Sequence, residues 1–147
     1  MIDLKKDNKL LESIELLFFA YRAFTVQPDQ ILEELGLSRA HHRLLYFIGR
    51  NPKIPVNALR ELLGVSKQAM NAPLRQLFEQ KLVEGFASEH DNRVKELQLT
   101  GAGSALEHRL TETQMKQLAA VFEICGEKSA TEWRKVMRTL SQSSKGA

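Results

Sequence analysis

Between Ser66 and Arg75 the chain reads SKQAMNAPLR, and several of these side chains are suited to reading a base edge. Gln68 and Asn71 each carry an amide that pairs bidentately with adenine, and the Arg75 guanidinium does the same for guanine. Lys67 offers a point charge to a base or a phosphate. Ser66 stands ahead of them as a helix N-cap, since its hydroxyl can accept from a first-turn N–H. Met70, Leu74 and Leu77 follow an i, i+4, i+7 pattern and so face a core, which turns Lys67, Gln68, Asn71, Ala72 and Arg75 outward. An ordinary solvated helix face has the same composition. The surrounding elements must decide between the two.

Other reactive groups do not assemble. Cys125, the single cysteine, cannot form an intrachain disulfide, and FEICGE holds no cations to activate its thiol. A small buried apolar residue is the expectation there. His41 and His42 are adjacent on a helix, where successive side chains diverge by about 100°, so one zinc ion rarely takes both. His90 and His108 lie too far along the chain to complete such a site. There is no Ser–His–Asp set, phosphate loop or paired carboxylate. The GAG at Gly101–Gly103 begins a helix without the strand–loop–helix setting of a nucleotide site. No catalysis, metal or cofactor is expected.

The chain has 147 residues and a net charge of +3, enough length for one domain with a core and a mildly basic balance. From Asn8 to about Val26, Leu10, Leu11, Ile14, Leu17, Phe18, Tyr21 and Phe24 mark one apolar stripe, and Leu16, Phe19 and Ala23 mark another. A helix apolar on two faces must bury both, which a small monomer seldom achieves. Glu12 and Glu15 interrupt this segment, so it is not a signal peptide, and no apolar run is long enough for a membrane span. The expected location is the cytoplasm, with no membrane partner.

A short helix is expected over Pro28–Leu35, with Gly36 ending it. Ser38 caps a helix from Arg39 to about Gly49 that buries Leu44, Leu45, Phe47 and Ile48. RNPKIP is a connector. Pro55 opens a short helix with Leu59, Leu62 and Leu63 inward, stopped by Gly64, and the Ser66 helix follows. LVEGFAS and RVKELQLT then read as strands around a hairpin loop, SEHDN. A long helix runs from about Ala102 to Ile124. Ser129 and Glu132 form a capping-box pattern for a last helix carrying Trp133, Val136, Met137 and Leu140. The polar tail SQSSKGA should fray.

This order predicts a mainly α fold with a small two-stranded β wing: a winged helix–turn–helix flanked by dimerisation helices. The expected divisions are 1–37, 38–100 and 101–147, with helical arms on both sides of the DNA-binding module. The arms carry more apolar surface than a monomer covers, which predicts a two-fold dimer.

The stretch ILEELGLSRAHHRLLYFIGRNPKIPVNALRELLGVSKQAMN, followed by KLVEG and DNRVKELQLTGAG, resembles the MarR family of transcriptional regulators from about Ile31 to Leu110. The LLGVSKQ turn and the Asp-x-Arg wing ahead of LQLT are its most telling pieces. The resemblance implies a homodimer on pseudo-palindromic double-stranded DNA, usually a repressor, and in many members one released by a small aromatic or anionic effector. It makes Ser66, Lys67, Gln68, Asn71, Arg75 and Arg93 the expected DNA-contacting set. Arg93 lies at the wing tip, reaching a minor groove whose narrow, electronegative form suits a guanidinium. Asp91 supports the wing by orienting Arg93, and His90 is a solvated loop residue. An effector pocket would be lined by Phe18, Tyr21, Arg22, His41, His42 and Tyr46.

Two features oppose this. From Pro55 to Gln98, six lysines and arginines meet six acidic residues, so affinity must come from segregating the signs onto separate faces. Ala72-Pro73 stands where such regulators commonly carry a basic and then an aliphatic residue. A mid-helix proline costs about 3 kcal/mol against alanine. Either the helix kinks and keeps its phase, the favoured expectation, or it begins afresh at Asn71. The rival function is a winged-helix dimer acting as a protein-interaction scaffold with weak or non-specific DNA binding, marked by a mixed-sign module surface and a recognition helix unwound at Pro73.

Overall fold

Helices occupy most of the chain in the computed structural model, which describes residues 4–144. In order they are α1 (Leu4–Glu34), α2 (Arg39–Arg50), α3 (Val56–Leu63), α4 (Lys67–Glu79), α5 (Gly101–Cys125) and α6 (Glu127–Gln142). Three short strands lie among them: β1 (Ile54–Pro55), β2 (Val83–Ala87) and β3 (Lys95–Leu99). No described helix is long and apolar enough to cross a membrane. The chain divides into two compact units between Thr113 and Gln114.

In the first unit the core is built from the inner faces of α2, α3 and α4 and from the sheet. Leu45, Ile48, Leu59, Met70, Leu77 and Leu97 are almost wholly removed from solvent. Leu59 is buried as its spacing required, but Leu62 points outward. The sheet is antiparallel with β3 in the centre, flanked by β1 and β2. The expected two-stranded wing is therefore a hairpin with a third strand. Lys53 adopts a left-handed φ of 64°, and Ile54 then pairs with Leu97. Two residues carry no readable periodicity; their partner alone makes them a strand.

The expected break at Pro28 does not occur, because α1 runs through it to Glu34. Pro28 and Leu32 are both fully buried, so tertiary packing offsets the hydrogen bond that proline removes. Gly36, with φ 68°, then turns the chain toward α2. At the other end of the unit, α5 begins against the carbonyl end of the turn after α4. Thr100 Oγ1 donates to the Lys81 carbonyl at 2.7 Å and accepts from Gly103 N–H at 3.0 Å. A Cβ on Gly103 would lie 1.9 Å from the Leu82 carbonyl oxygen, so this helix start requires glycine.

The second unit is a helical hairpin made by the end of α5 and α6, turned at Gly126 with φ 95°. Here the expected capping box is displaced. The helix begins at Glu127 and Gly126 holds the N-cap position, so Ser129 already lies inside the first turn. The Phe122 and Trp133 rings approach to 5.6 Å, and Ala130 in the first turn of α6 is buried. Cys125 is exposed, contrary to the buried apolar residue expected. The end of the polar tail lies outside the described residues.

Candidate nucleic-acid interface

The polar face of α4 rests on a firm start. Gly64 closes α3 in a left-handed conformation (φ 64°), and its N–H bonds the carbonyls of Arg60 and Glu61. Two residues later Ser66 Oγ accepts from Ala69 N–H at 3.0 Å, which satisfies one of the free donors of the new helix. Met70, Leu74 and Leu77 are buried, while Lys67, Gln68, Asn71, Ala72 and Arg75 are exposed. Pro73 neither unwinds α4 nor restarts it, since a single helix spans Lys67–Glu79. Three buried anchors hold the phase, Met70 before the proline and Leu74 and Leu77 after it.

The wing is the β2–β3 hairpin. Its loop is tied by Ser88 N–H to the Val94 carbonyl at 2.8 Å and by Val94 N–H to the Asp91 carbonyl at 2.9 Å. Asp91 accepts three bonds from Arg93: the backbone N–H at 3.0 Å, Nε at 3.1 Å and Nη2 at 3.2 Å. These bonds hold the Asp91 carboxyl below its usual pKa. The Arg93 side chain is 91% exposed and so stands free of the protein except for this clamp. His90 is exposed too, its N–H bonding Ser88 Oγ at 3.2 Å.

The hairpin also segregates charge. Along β3 side chains alternate between faces, so Lys95 shares one face with Leu97, and Glu96 the other with Gln98. Glu84 pairs with Gln98 in register and therefore joins Glu96. Lys95 lies across Gly85, where a Cβ would come within 2.5 Å of its Cε, and places Nζ 4.8 Å from the Phe78 ring centre on α4. The two acids thus occupy the hairpin face opposite the one that meets the recognition helix.

The residues expected around an effector are less closely gathered. Phe18, Tyr21 and Arg22 are exposed on α1, with the Arg22 guanidinium 5.3 Å from the Phe19 ring. Tyr46 is half-buried on α2, beneath the Arg50 guanidinium at 4.6 Å. His42 is half-buried, and burial lowers its pKa against the opposing pull of Glu107 and Asp29. His41 turns inward instead, bonding Ser38 and Gln76. A cavity of about 150 Å³ lies at the other end of α2, lined by residues including Arg50, Ser104, Glu107 and His108.

Sequence reasoning missed three residues that shape this region. Gln76 reaches from α4 to both Gly36 and His41. Lys95 joins the wing to α4. Glu107, 1% exposed, bonds Arg50 from α5. Each works through a partner far away in the chain, so no local spacing signals it.

With this geometry in view, the comparisons agree. The family model for the MarR family matches residues 16–93. The HTH-type transcriptional regulator PetP of Rhodobacter capsulatus is 40% identical over 134 residues, covering 91% of this chain and 81% of PetP. The structure of Streptococcus pneumoniae FabT in complex with DNA superimposes with a TM-score of 0.75 at 20% identity, covering 95% of this chain and 96% of FabT. NadR in complex with 4-hydroxyphenylacetate gives 0.72 at 20% identity, over 86% of this chain and 90% of NadR. A capped recognition helix beside a clamped arginine wing, on a chain that shares two-fifths of its residues with PetP across most of both lengths, places this protein in the MarR family of helix–turn–helix transcription regulators, DNA-binding proteins rather than enzymes.

Proposed function

We propose that the chain acts as a homodimeric repressor on a pseudo-palindromic operator, with half-sites about one helical turn apart, roughly 34 Å. The observation that carries this is the unbroken α4, whose exposed side presents Lys67, Gln68, Asn71 and Arg75 ahead of and just past Pro73. Gln68 and Asn71 read bases, Lys67 and Arg75 contact bases or phosphates, and Arg93 enters the minor groove. Ser66 fixes where the helix begins. The clustering of readers in the first turns makes base recognition strongest there. Dimerisation is supported by α1, on which Leu10, Ile14, Leu17 and Phe18 are all exposed in the single chain.

Release by a small aromatic or anionic molecule completes the proposal, supported by the likeness to NadR, whose structure holds 4-hydroxyphenylacetate. Phe18, Tyr21, Arg22, His42 and Tyr46 would contact it, and His41, already bonded at both ring nitrogens, would stand behind them. The family's cytoplasmic setting is part of the same reading. A scaffold would carry a mixed-sign module surface and a recognition helix unwound at Pro73; α4 running unbroken through Pro73 favours the DNA-reading role instead.

Gel shifts with duplexes from around the protein's own gene, run at several salt concentrations, test the proposal. One duplex should bind tightly while a scrambled duplex of equal length binds weakly. Equal binding of both under every condition would end it. Arg93→Ala should weaken the specific complex about tenfold or more; unchanged affinity removes the wing from the account. Adding small aromatic acids to the preformed complex should release DNA, and no release by any of them removes the effector.

A further inference from the structure

Gln76 lies on α4 between Arg75, which is exposed, and Leu77, which is fully buried. Its side-chain amide is occupied at both ends. Nε2 donates to the Gly36 carbonyl at 3.0 Å, and Oε1 lies 2.9 Å from His41 Nε2. His41 is 6% exposed, and its Nδ1 accepts from Ser38 N–H at 2.9 Å. The Gly36 carbonyl requires a donor, which orients the Gln76 amide; Oε1 then requires a donor from His41 Nε2. A backbone N–H already points at Nδ1. The one ring that fits is neutral, with its proton on Nε2.

These bonds close a loop, because Gly36 and Ser38 are two residues apart in the turn that ends α1 and caps α2. One turn further along α4, Gln80 Nε2 comes within 3.5 Å of the Leu35 carbonyl. The recognition helix is therefore bonded to the α1–α2 corner as well as packed beside it. Packing of Met70, Leu74 and Leu77 fixes how deep α4 sits, but apolar contacts are non-directional and leave its pitch loosely set. Directed hydrogen bonds from one side chain to two backbone segments define that pitch.

We propose that His41 and Gln76 are positioning residues for DNA reading, which hold α4 at a fixed angle to the α1–α2 corner while His41 is neutral. This rests on the DNA-binding role given to α4 above. A proton on Nδ1 would face the Ser38 N–H, donor against donor. The Ser38 hydroxyl, 3.0 Å away, can turn to accept it, but the backbone N–H then loses its partner and a charge is buried. Burial accordingly pushes the His41 pKa below that of a free imidazole, against a smaller opposing effect of the bond to Gln76.

The sign follows. Above the ordinary imidazole value the ring is neutral whether the corner is closed or open. As pH falls through that value toward the depressed one, the open corner takes the proton first, and the closed arrangement is lost. The charged groups nearest the corner on the surrounding elements are Asp29, Glu33 and Glu34 of α1, with Asp29 paired to Arg39 of α2 at 2.8 Å; His42 and Arg43 of α2; and Arg75 and Glu79 of α4. Among the described residues the His41 ring bonds only Ser38 and Gln76. His42 shifts in the same direction and needs its own control.

The test compares affinity for the specific duplex found by gel shift with affinity for its scrambled counterpart. It is read by fluorescence anisotropy from about pH 5 to about pH 8 at fixed ionic strength. The ratio of the two affinities cancels general changes in charge and in the folded fraction. For the wild type it should fall about tenfold on the acid side. Gln76→Leu should show the low ratio at every pH while keeping wild-type binding to scrambled DNA. His41→Gln should give a flat profile, which also excludes His42, still present in that variant, as the source of the fall. A wild-type ratio in Gln76→Leu at neutral pH, or an acid fall that persists in His41→Gln, overturns the proposal. Should either variant not fold, ring nitrogen spectra of the wild type decide: an Nε2–H ring that protonates late supports it, and an Nδ1–H ring or ordinary titration overturns it. A wild type that never discriminates between the duplexes sinks the DNA-reading role itself, whatever the ring spectra show.

Discussion

Gly103 and Glu107 sit one turn apart on α5, and both make demands that a single substitution exposes. A methyl group at Gly103 would collide with the Leu82 carbonyl, a backbone atom that cannot swing aside. Gly103→Ala should therefore cost about 1–3 kcal/mol, read as a lowered urea midpoint with an unchanged slope. Glu107 is buried and its carboxylate meets the Arg50 guanidinium, itself partly in solvent. Arg50→Ala leaves that carboxylate buried without its partner. The expected loss is about 3 kcal/mol, read as a lowered urea midpoint. A midpoint equal to that of the wild type would show that the pairing is not what matters.

At the level of elements, local patterns were legible and distant partners were not. The inward phase of Met70, Leu74 and Leu77 follows from helical period, and it survives Pro73. The same logic misjudged Pro28, because a proline signals a break only where nothing else holds the helix. There the burial of Pro28 and Leu32 does hold it. β1 escaped notice because Ile54 and Pro55 become a strand only through Leu97 and Glu96 of β3. Ser129 and Glu132 matched a capping pattern, yet Gly126 starts α6 earlier by taking a φ of 95° that suits glycine. At the candidate site, exposure of the α4 polar residues and the Asp91–Arg93 pair were within reach, being local. His41 and Gln76, 35 residues apart, were not. For α4 itself, Pro73→Ala restores the missing bond to Ala69 and should raise stability by up to about 3 kcal/mol. A fall in the thermal midpoint would mean that the helix is shaped around its proline.

For the whole molecule the decisive feature is apolar surface left bare. α1 exposes Ile14 at 65% and Phe18 at 62%, more than a chain working alone would leave in water. Ile14→Glu places a charge in the proposed subunit interface. It should convert the dimer to a monomer in sedimentation velocity and abolish specific binding, since two half-sites must be held together to be read. A variant that still sediments as a dimer would move the interface away from this face of α1.

The grip of Asp91 on Arg93 has a kinetic side. A guanidinium already sharing its charge with a carboxylate projects a weak field beyond the roughly 8–10 Å over which salt lets charges act. The wing tip therefore adds little to long-range attraction, and in the proposed complex it would come into play only at contact, where acceptors of the minor groove compete with Asp91 for the same donors. Such a wing would slow neither departure from wrong sequences nor movement along them. It would let the proposed dimer search quickly and commit late.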